Sequence, residues 1–126
     1  MNIARNNCWR SRKGLRFEAL ALDHLQEQGL ELLQRNYRCN MGEIDLLMLD
    51  REVLVFIEVR FRGSTSHGGA LATVTRNKQH KLLRTARYFL LCHAEHQDRA
   101  CRFDVVGVQP GAATTHQFTW IQNAFC

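Results

Sequence analysis

Two acidic residues and one arginine stand at the ends of two neighbouring β-rich segments, where phosphodiester chemistry could take place. The segments are residues 42–49 (GEIDLLML) and 53–60 (VLVFIEVR), and the short polar stretch between them predicts a hairpin turn. Because side chains alternate along a strand, Glu58 and Arg60 share one face. The hairpin places Asp45 beside Glu58, so the three polar groups are expected to converge at one end of the hairpin.

Two carboxylates, a backbone carbonyl and water suit octahedral Mg²⁺ or Mn²⁺, which prefer oxygen ligands. Such a metal would polarise a phosphoryl oxygen and lower the pKa of a bound water, while a nearby cation would hold the phosphate. A structural alternative stays open, in which Asp45 and Glu58 only form a buried ion network with Arg60 and Arg38. Glu43, on the same strand as Asp45, is expected to be either an acid at the strand edge or one that supports the ligands without binding the metal.

A third acid, Glu18, lies on the apolar stripe of a helix predicted over residues 12–28. Leu15, Leu22 and Leu25 recur there at helical spacing. A carboxylate on the inner face of a helix is costly unless another group pairs with it. The alternative is that Glu18 lies at the boundary of the stripe.

The remaining elements follow from periodicity and from turn residues. The predictions are an extended segment over residues 30–39, a mobile loop over 61–75, a helix over 76–91, and strands over 102–108 and 118–121. The second segment of the hairpin is apolar on both faces, so it is predicted to be a central strand. This order of elements predicts a single α/β domain over residues 1–126, with a mixed central sheet flanked by helices.

The net charge of +5 divides into separate blocks along the chain. Residues 1–17 and 59–94 contain cations without any Asp or Glu, whereas the acids of the hairpin lie between them. Fourteen of the seventeen cations are arginines, whose planar fork suits phosphate. The cations expected to contact nucleic acid, preferably DNA, are Arg12, Lys13, Arg16, Arg62, Arg76, Lys78, Lys81, Arg84 and Arg87. Residues 1–12 are predicted to be a flexible basic N-terminus.

The composition excludes several other classes of protein. The 126 residues are 45% hydrophobic with one Pro, which disfavours disorder, and no apolar run approaches the ~20 residues of a membrane span. The five cysteines form no CxxC pair, and free thiols in a cytoplasmic protein are expected. Cys92, His93, His96 and Cys101 could in principle bind zinc, but a buried thiol at a helix end followed by a polar loop is favoured, since the spacing is not that of structural zinc sites.

The segments around the acids resemble a known group of proteins. GEID at residues 42–45 and VFIEVR at 55–60 resemble the PD-(D/E)XK nuclease superfamily. Along most of its length the chain is similar to the YraN family of small bacterial proteins, through Glu18, RNYRC-MGEIDL, LVFIEVRFR, CRFDVVGV and WIQNAF. That family resembles archaeal Holliday-junction resolvases.

The resemblance implies a restriction-endonuclease-like (tRNA endonuclease-like) fold and Mg²⁺- or Mn²⁺-dependent cleavage of branched or structured DNA. It implies that Asp45 and Glu58 are metal ligands and that Glu18 is an additional acid near the metal. Arg60 occupies the position of the superfamily's lysine, and because Arg cannot act as a general base, Lys78 is a candidate for a migrated lysine. The alternative is a nucleic-acid-binding or scaffold module that keeps the fold without turnover. By analogy with resolvases, a homodimer is also expected.

Overall fold

Five strands form one mixed sheet in the order β1-β2-β3-β4-β5 in the computed structural model, which describes residues 12–61, 69–111 and 115–125. The elements are α1 (Arg12–Glu27), β1 (Glu31–Cys39), β2 (Gly42–Asp50), β3 (Val53–Phe61), α2 (Arg76–Cys92), β4 (Cys101–Pro110) and β5 (His116–Phe125), with short 3₁₀ helices at Leu71–Thr73 and Ala94–His96. Only the β3–β4 pair is parallel, and α2 lies in the connection between these strands. A mixed α/β fold, as predicted, is confirmed.

The two helices cover opposite faces of the sheet. Along β3, Leu54 and Phe56 belong to the core that includes α2, whereas Val55 and Ile57 belong to the core that includes α1. This alternation is the one expected for a strand buried on both sides. β3 is the third of five strands, so its predicted central position is confirmed.

Several boundaries differ from the predictions. β5 runs from His116 to Phe125, well beyond the predicted 118–121, and β4 extends through Pro110. Part of the segment predicted as a mobile loop is packed, because Ala70 and Val74 are buried on either side of the 3₁₀ helix Leu71–Thr73. Residues 62–68 of that segment, and residues 1–11, lie outside the described part of the chain.

Neither α1 nor α2, the two α-helices among the described residues, combines the length and apolarity that crossing a membrane requires.

A fully buried carboxylate on β4 binds the edge strand β5 and, through Arg102, is connected to Asp50 of β2. Asp104 is 0% exposed and accepts hydrogen bonds from Arg102 Nε at 3.0 Å, Trp120 Nε1 at 2.9 Å and the Asn123 amide at 2.9 Å. Arg102 Nη1 also donates to Asp50 Oδ2 of β2 at 2.9 Å. The register between β4 and β5 shifts between Phe103 and Val105, and here the Asp104 side chain accepts the hydrogen bond of the Asn123 amide. The network therefore supplies hydrogen bonds where the register shift interrupts the pairing of β4 with β5.

Replacing Asp104 by Ala is expected to lower the free energy of unfolding by about 3–5 kcal/mol, because it leaves donors of the partly buried Arg102 and Trp120 without their acceptor. Urea denaturation of the variant measures the loss. Asp98→Ala, an exposed change in the turn before β4, is the matched control and should stay within about 0.5 kcal/mol of the wild type. Equal stability of the two variants would contradict this role for Asp104.

Candidate functional site

The candidate site lies where β2 and β3 cease to pair. Their antiparallel ladder runs from the pair Asp50 and Val53 to the pair Leu46 and Ile57. Beyond this last pair, the next residue is an acid on both strands, Asp45 on β2 and Glu58 on β3. Beyond that pair, Asp45 Oδ2 accepts a hydrogen bond from the Val59 amide at 2.9 Å. A side chain thus replaces the backbone partner, and the two strands separate without leaving that amide unsatisfied.

The strict alternation of β2 is interrupted at the same place. Ile44 and Leu47 belong to the same core, on the α2 side, although they are three positions apart, and Leu46 belongs to the core on the α1 side. The alternation of side chains between the two faces of β2 therefore changes around Asp45. The sequence had predicted an unbroken alternation that puts Glu43, Asp45 and Leu47 on one face.

Glu58 is the most buried polar group of the site. It is 4% exposed, and its Oε2 lies 3.0 Å from Arg60 Nη1 and 3.6 Å from Lys78 Nζ. Burial and the negative charge of Asp45 raise the pKa of Glu58 from 4.5 to about 7, although Lys78 and Arg60 act in the opposite direction. The structure therefore brings together Asp45, Glu58, Arg60 and Lys78.

Arg60 is held by the segment that follows β3 rather than only by Glu58. Its Nε donates to Thr73 Oγ1 at 3.0 Å and its Nη2 donates to the Thr73 carbonyl at 3.2 Å. Thr73 Oγ1 in turn donates to the Ala70 carbonyl at 2.6 Å. Two of the contacts that orient the guanidinium are therefore fixed by one turn of 3₁₀ helix.

Gly107 allows this turn to approach the sheet. It pairs with Arg60 across the parallel β3–β4 ladder. A Cβ at Gly107 would lie 2.7 Å from the Cβ of Ala70, closer than real side chains approach one another. The absence of a side chain on β4 is thus what lets Ala70 and Thr73 sit beside Arg60.

The start of α2 directs Lys78 toward Glu58. Thr75 is the N-cap, and its side chain accepts a hydrogen bond from the Lys78 amide at 3.2 Å. Gln79 Nε2 donates to the carbonyl of buried Val74 at 3.1 Å, which ties the first turn of the helix to the preceding segment. A threonine ahead of a helical pattern is a recognised cap signal, but sequence reasoning did not connect it to the acids.

The two other predicted acids are Glu18 and Glu43. Glu18 is 3% exposed on α1, the helix on the opposite face of the sheet from α2. Glu43 forms an ion pair with Arg38 at 3.3 Å, across the β1–β2 ladder. Of the two arginines in the alternative ion network, Arg38 pairs with Glu43 and Arg60 pairs with Glu58.

No three acidic, histidine or cysteine side chains are grouped so that they could hold a metal ion, within the described part of the chain. The metal role of Glu18 beside Asp45 and Glu58 stays a prediction. Cys92 and Cys101 are exposed, so the expectation of a buried thiol at the end of α2 was wrong: the buried face of the helix ends at Phe89.

The predicted cations are distributed over two helices. Arg16 on α1 and four residues of α2, Arg76, Lys81, Arg84 and Arg87, are exposed. Arg12 and Lys13 belong to the first turn of α1, and Arg62 lies outside the described residues. The cations of α2 lead away from Lys78 along the solvent side of the helix.

Comparisons with known proteins identify a family. A family model described as "Uncharacterised protein family UPF0102" matches residues 17–108. The UPF0102 protein of Aeromonas hydrophila is 53% identical over 114 residues, which cover 90% of this chain and 84% of the relative. Those of Alcanivorax borkumensis and Stutzerimonas stutzeri are each 50% identical, with 86% of this chain covered and 86% and 89% of the relatives.

Among solved structures, that of Pyrococcus furiosus SfsA in complex with Ca²⁺ matches with a TM-score of 0.33 and 9% identity. It covers 86% of this chain and 62% of that chain. A likeness this weak supports no inference about the fold or the function.

In the metal-free protein, the Glu58 carboxyl group should titrate near pH 7, as measured by carboxyl-detected NMR. Asp45→Asn is expected to lower this pKa because it removes a neighbouring negative charge, and Lys78→Met to raise it because it removes a positive one. Asp50→Asn, the same change at the far end of β2, is the matched control and should leave the midpoint in place. A wild-type midpoint near 4.5 would refute the geometry described for Glu58.

Proposed function

The chain belongs to the UPF0102 (YraN) family, and from this premise we propose that it is a Mg²⁺- or Mn²⁺-dependent endonuclease acting on branched or otherwise structured DNA. The observation that carries this proposal is the meeting of Asp45 and Glu58 with two cations at the diverging end of a buried hairpin. A restriction-endonuclease-like (PD-(D/E)XK) arrangement is the fold that we propose for this mixed sheet with a helix on each face.

The donor set fits a small divalent cation. Mg²⁺ is commonly held by one or two carboxylates together with waters, and Asp45 and Glu58 supply two carboxylates from adjacent strands. Their mutual repulsion contributes to the raised pKa of Glu58, and a divalent cation between them would relieve it. When bound there, the metal supplies Lewis-acid activation of a phosphoryl oxygen and of an attacking water.

The side chains of the site would perform the remaining work. Arg60 is oriented by Thr73, and because an arginine cannot act as a general base, its role is to position phosphate and to neutralise charge that develops there. Lys78 approaches the same Glu58 oxygen as Arg60, and we assign it the place that the superfamily's lysine would fill. Glu58 must lose its proton before it can act as a ligand, which its position beside two cations favours.

The exposed cations of α2 would supply affinity for the substrate without reading its sequence. Arg76 and Lys81 flank Lys78, and neither forms an ion pair within the described residues. Arginine and lysine contacts to phosphate position a nucleic acid and make its binding depend on salt.

The purified protein is expected to cleave one or more members of a panel of linear, forked and four-way DNA when Mg²⁺ or Mn²⁺ is added. Asp45→Asn and Glu58→Gln should each lower the cleavage rate by at least about 100-fold, because each removes a carboxylate ligand. Gel-resolved cleavage measures the rate, and a filter-binding assay without metal shows whether DNA binding persists.

Two matched controls accompany this panel. Asp50→Asn alters a carboxylate of the same strand outside the site and should cleave like the wild type. Lys78→Met is expected to lose cleavage, whereas Lys81→Met, one turn further along α2, should mainly weaken binding. Cleavage that survives both Asp45→Asn and Glu58→Gln would overturn the proposal.

Arg60 favours a second function, that of a nucleic-acid-binding or scaffold module without turnover, because arginine replaces the lysine of the superfamily motif. Under this alternative the protein binds the DNA panel with a steep salt dependence but gives no product with either metal.

The affinity for Mn²⁺ should increase about tenfold between pH 6 and pH 8, measured by titration calorimetry, since the metal must displace one proton from a group that titrates near pH 7. The sign follows from the raised pKa: below it the neutral carboxyl group predominates and competes with the metal. Glu58→Gln should abolish this pH dependence. An affinity that is flat with pH in the wild type would show that Glu58 is not a ligand.

A further inference from the structure

A shallow groove lies on the outer side of α2, away from the acids. It is lined by Met41, Arg84, Arg87, Tyr88 and Leu91 and has a volume of about 210 Å³. Four of these residues belong to one face of α2, at helical spacing, and the fifth comes from the β1–β2 turn. The groove is therefore built by a helix and a turn that contact each other.

The turn is held close to the helix by Gly42. Its φ is +152°, and a Cβ there would lie 2.8 Å from Thr85 Oγ1 of α2. Thr85 is itself fully buried and donates to the Lys81 carbonyl at 2.7 Å. The wall formed by Met41 is thus set by a tight contact and not by a loose loop.

The lining is apolar and exposed, which is unusual for this chain. Leu91 is 72% exposed, and Met41 and Tyr88 are each 38% exposed. Together with Phe61 on β3, they are the large hydrophobic residues that remain exposed within the described part of the protein. A cluster of this kind on a small protein marks a binding surface more often than isolated apolar residues do.

The rim of the groove carries two arginines. Neither Arg84 nor Arg87 forms an ion pair with any of the described residues, and residues 59–94 contain no acid. The arginine fork matches a carboxylate with two parallel hydrogen bonds. The charge of the rim therefore complements an acidic partner.

We propose that this groove binds a short acidic peptide segment of another protein, with one large apolar side chain seated between Met41, Tyr88 and Leu91 and carboxylates on Arg84 and Arg87. The volume favours one side chain over a complete small ligand, since drug-sized ligands occupy about 300–1,000 Å³. The mixed lining favours peptide over duplex DNA, because phosphates would engage the arginines but leave the apolar floor in water. This proposal is independent of metal and of the proposed cleavage.

The test uses a fluorescently labelled peptide of four aspartates followed by one phenylalanine, with binding measured by anisotropy in the absence of metal. Two control peptides replace the phenylalanine by alanine, or the aspartates by lysines. The phenylalanine peptide should bind the wild type at least about tenfold more tightly than either control. Only this peptide offers both an apolar side chain to the floor of the groove and carboxylates to the arginines of its rim.

Leu91→Ser and the double variant R84E/R87E should each weaken the peptide at least about fivefold, through the floor and the rim respectively. Arg76→Glu is the matched control for charge on the same helix, and it should leave peptide binding within twofold. Leu91 is so exposed that its replacement should not disturb folding, which the circular dichroism of the variant checks. Leu91→Ser should also leave DNA cleavage unchanged, which separates this surface from the acids.

Other outcomes would overturn the proposal. Equal binding of the alanine peptide, or an equal loss with Arg76→Glu, would show non-specific attraction to a basic protein. A thymidine oligonucleotide could instead displace the peptide and bind more tightly than the peptide does. If Leu91→Ser also weakened the binding of that oligonucleotide, the groove would be assigned to single-stranded nucleic acid. A dimer in sedimentation that Leu91→Ser dissociates would assign it to a second copy of this chain.

Discussion

The burial of the Glu58 carboxyl group beside Asp45 is the constraint on which the site depends. Removing a carboxylate from water next to a second one is costly, and the raised pKa of Glu58 expresses that cost. Arg60 and Lys78 offset it, but only if both are held in place. The surrounding features hold them there: Thr73 orients Arg60, and Thr75 caps the helix that carries Lys78. The glycine of β4 opposite Arg60 leaves room for the 3₁₀ turn that contains Thr73.

The strands of the hairpin diverge at the same residues at which the two acids are placed. The ladder stops after Leu46 and Ile57, and the next residue on each strand is an acid. Asp45 remains tied to β3 through the Val59 amide, so the strands separate in a defined geometry. An unpaired amide at that point would destabilise the sheet by about 1–3 kcal/mol, so the Asp45 carboxylate has a structural role besides the chemical one that we propose.

The sequence predicted the parts of the structure that depend on local periodicity. The two helices, the hairpin and the central position of β3 follow from apolar spacing, and the pairing of Glu58 with Arg60 follows from strand alternation. β5 was underestimated because an edge strand that is half exposed carries few consecutive apolar residues. The packed turn after residue 68 was missed because its order comes from Arg60 and a neighbouring strand, which are distant in sequence and leave no local pattern.

One helix relates the acids to the apolar groove. The buried face of α2, which includes Leu82, Ala86 and Phe89, anchors it against the sheet along its length. Lys78 near its start and Tyr88 near its end are separated by about 15 Å along the helix axis, from the rise of 1.5 Å per residue. A peptide in the groove would therefore lie beside the path of a nucleic acid that reaches the acids, without covering them. Because the arginines of the rim continue the basic side of α2, an acidic peptide would compete with phosphate for those two residues alone, and the cations around Glu58 would stay available.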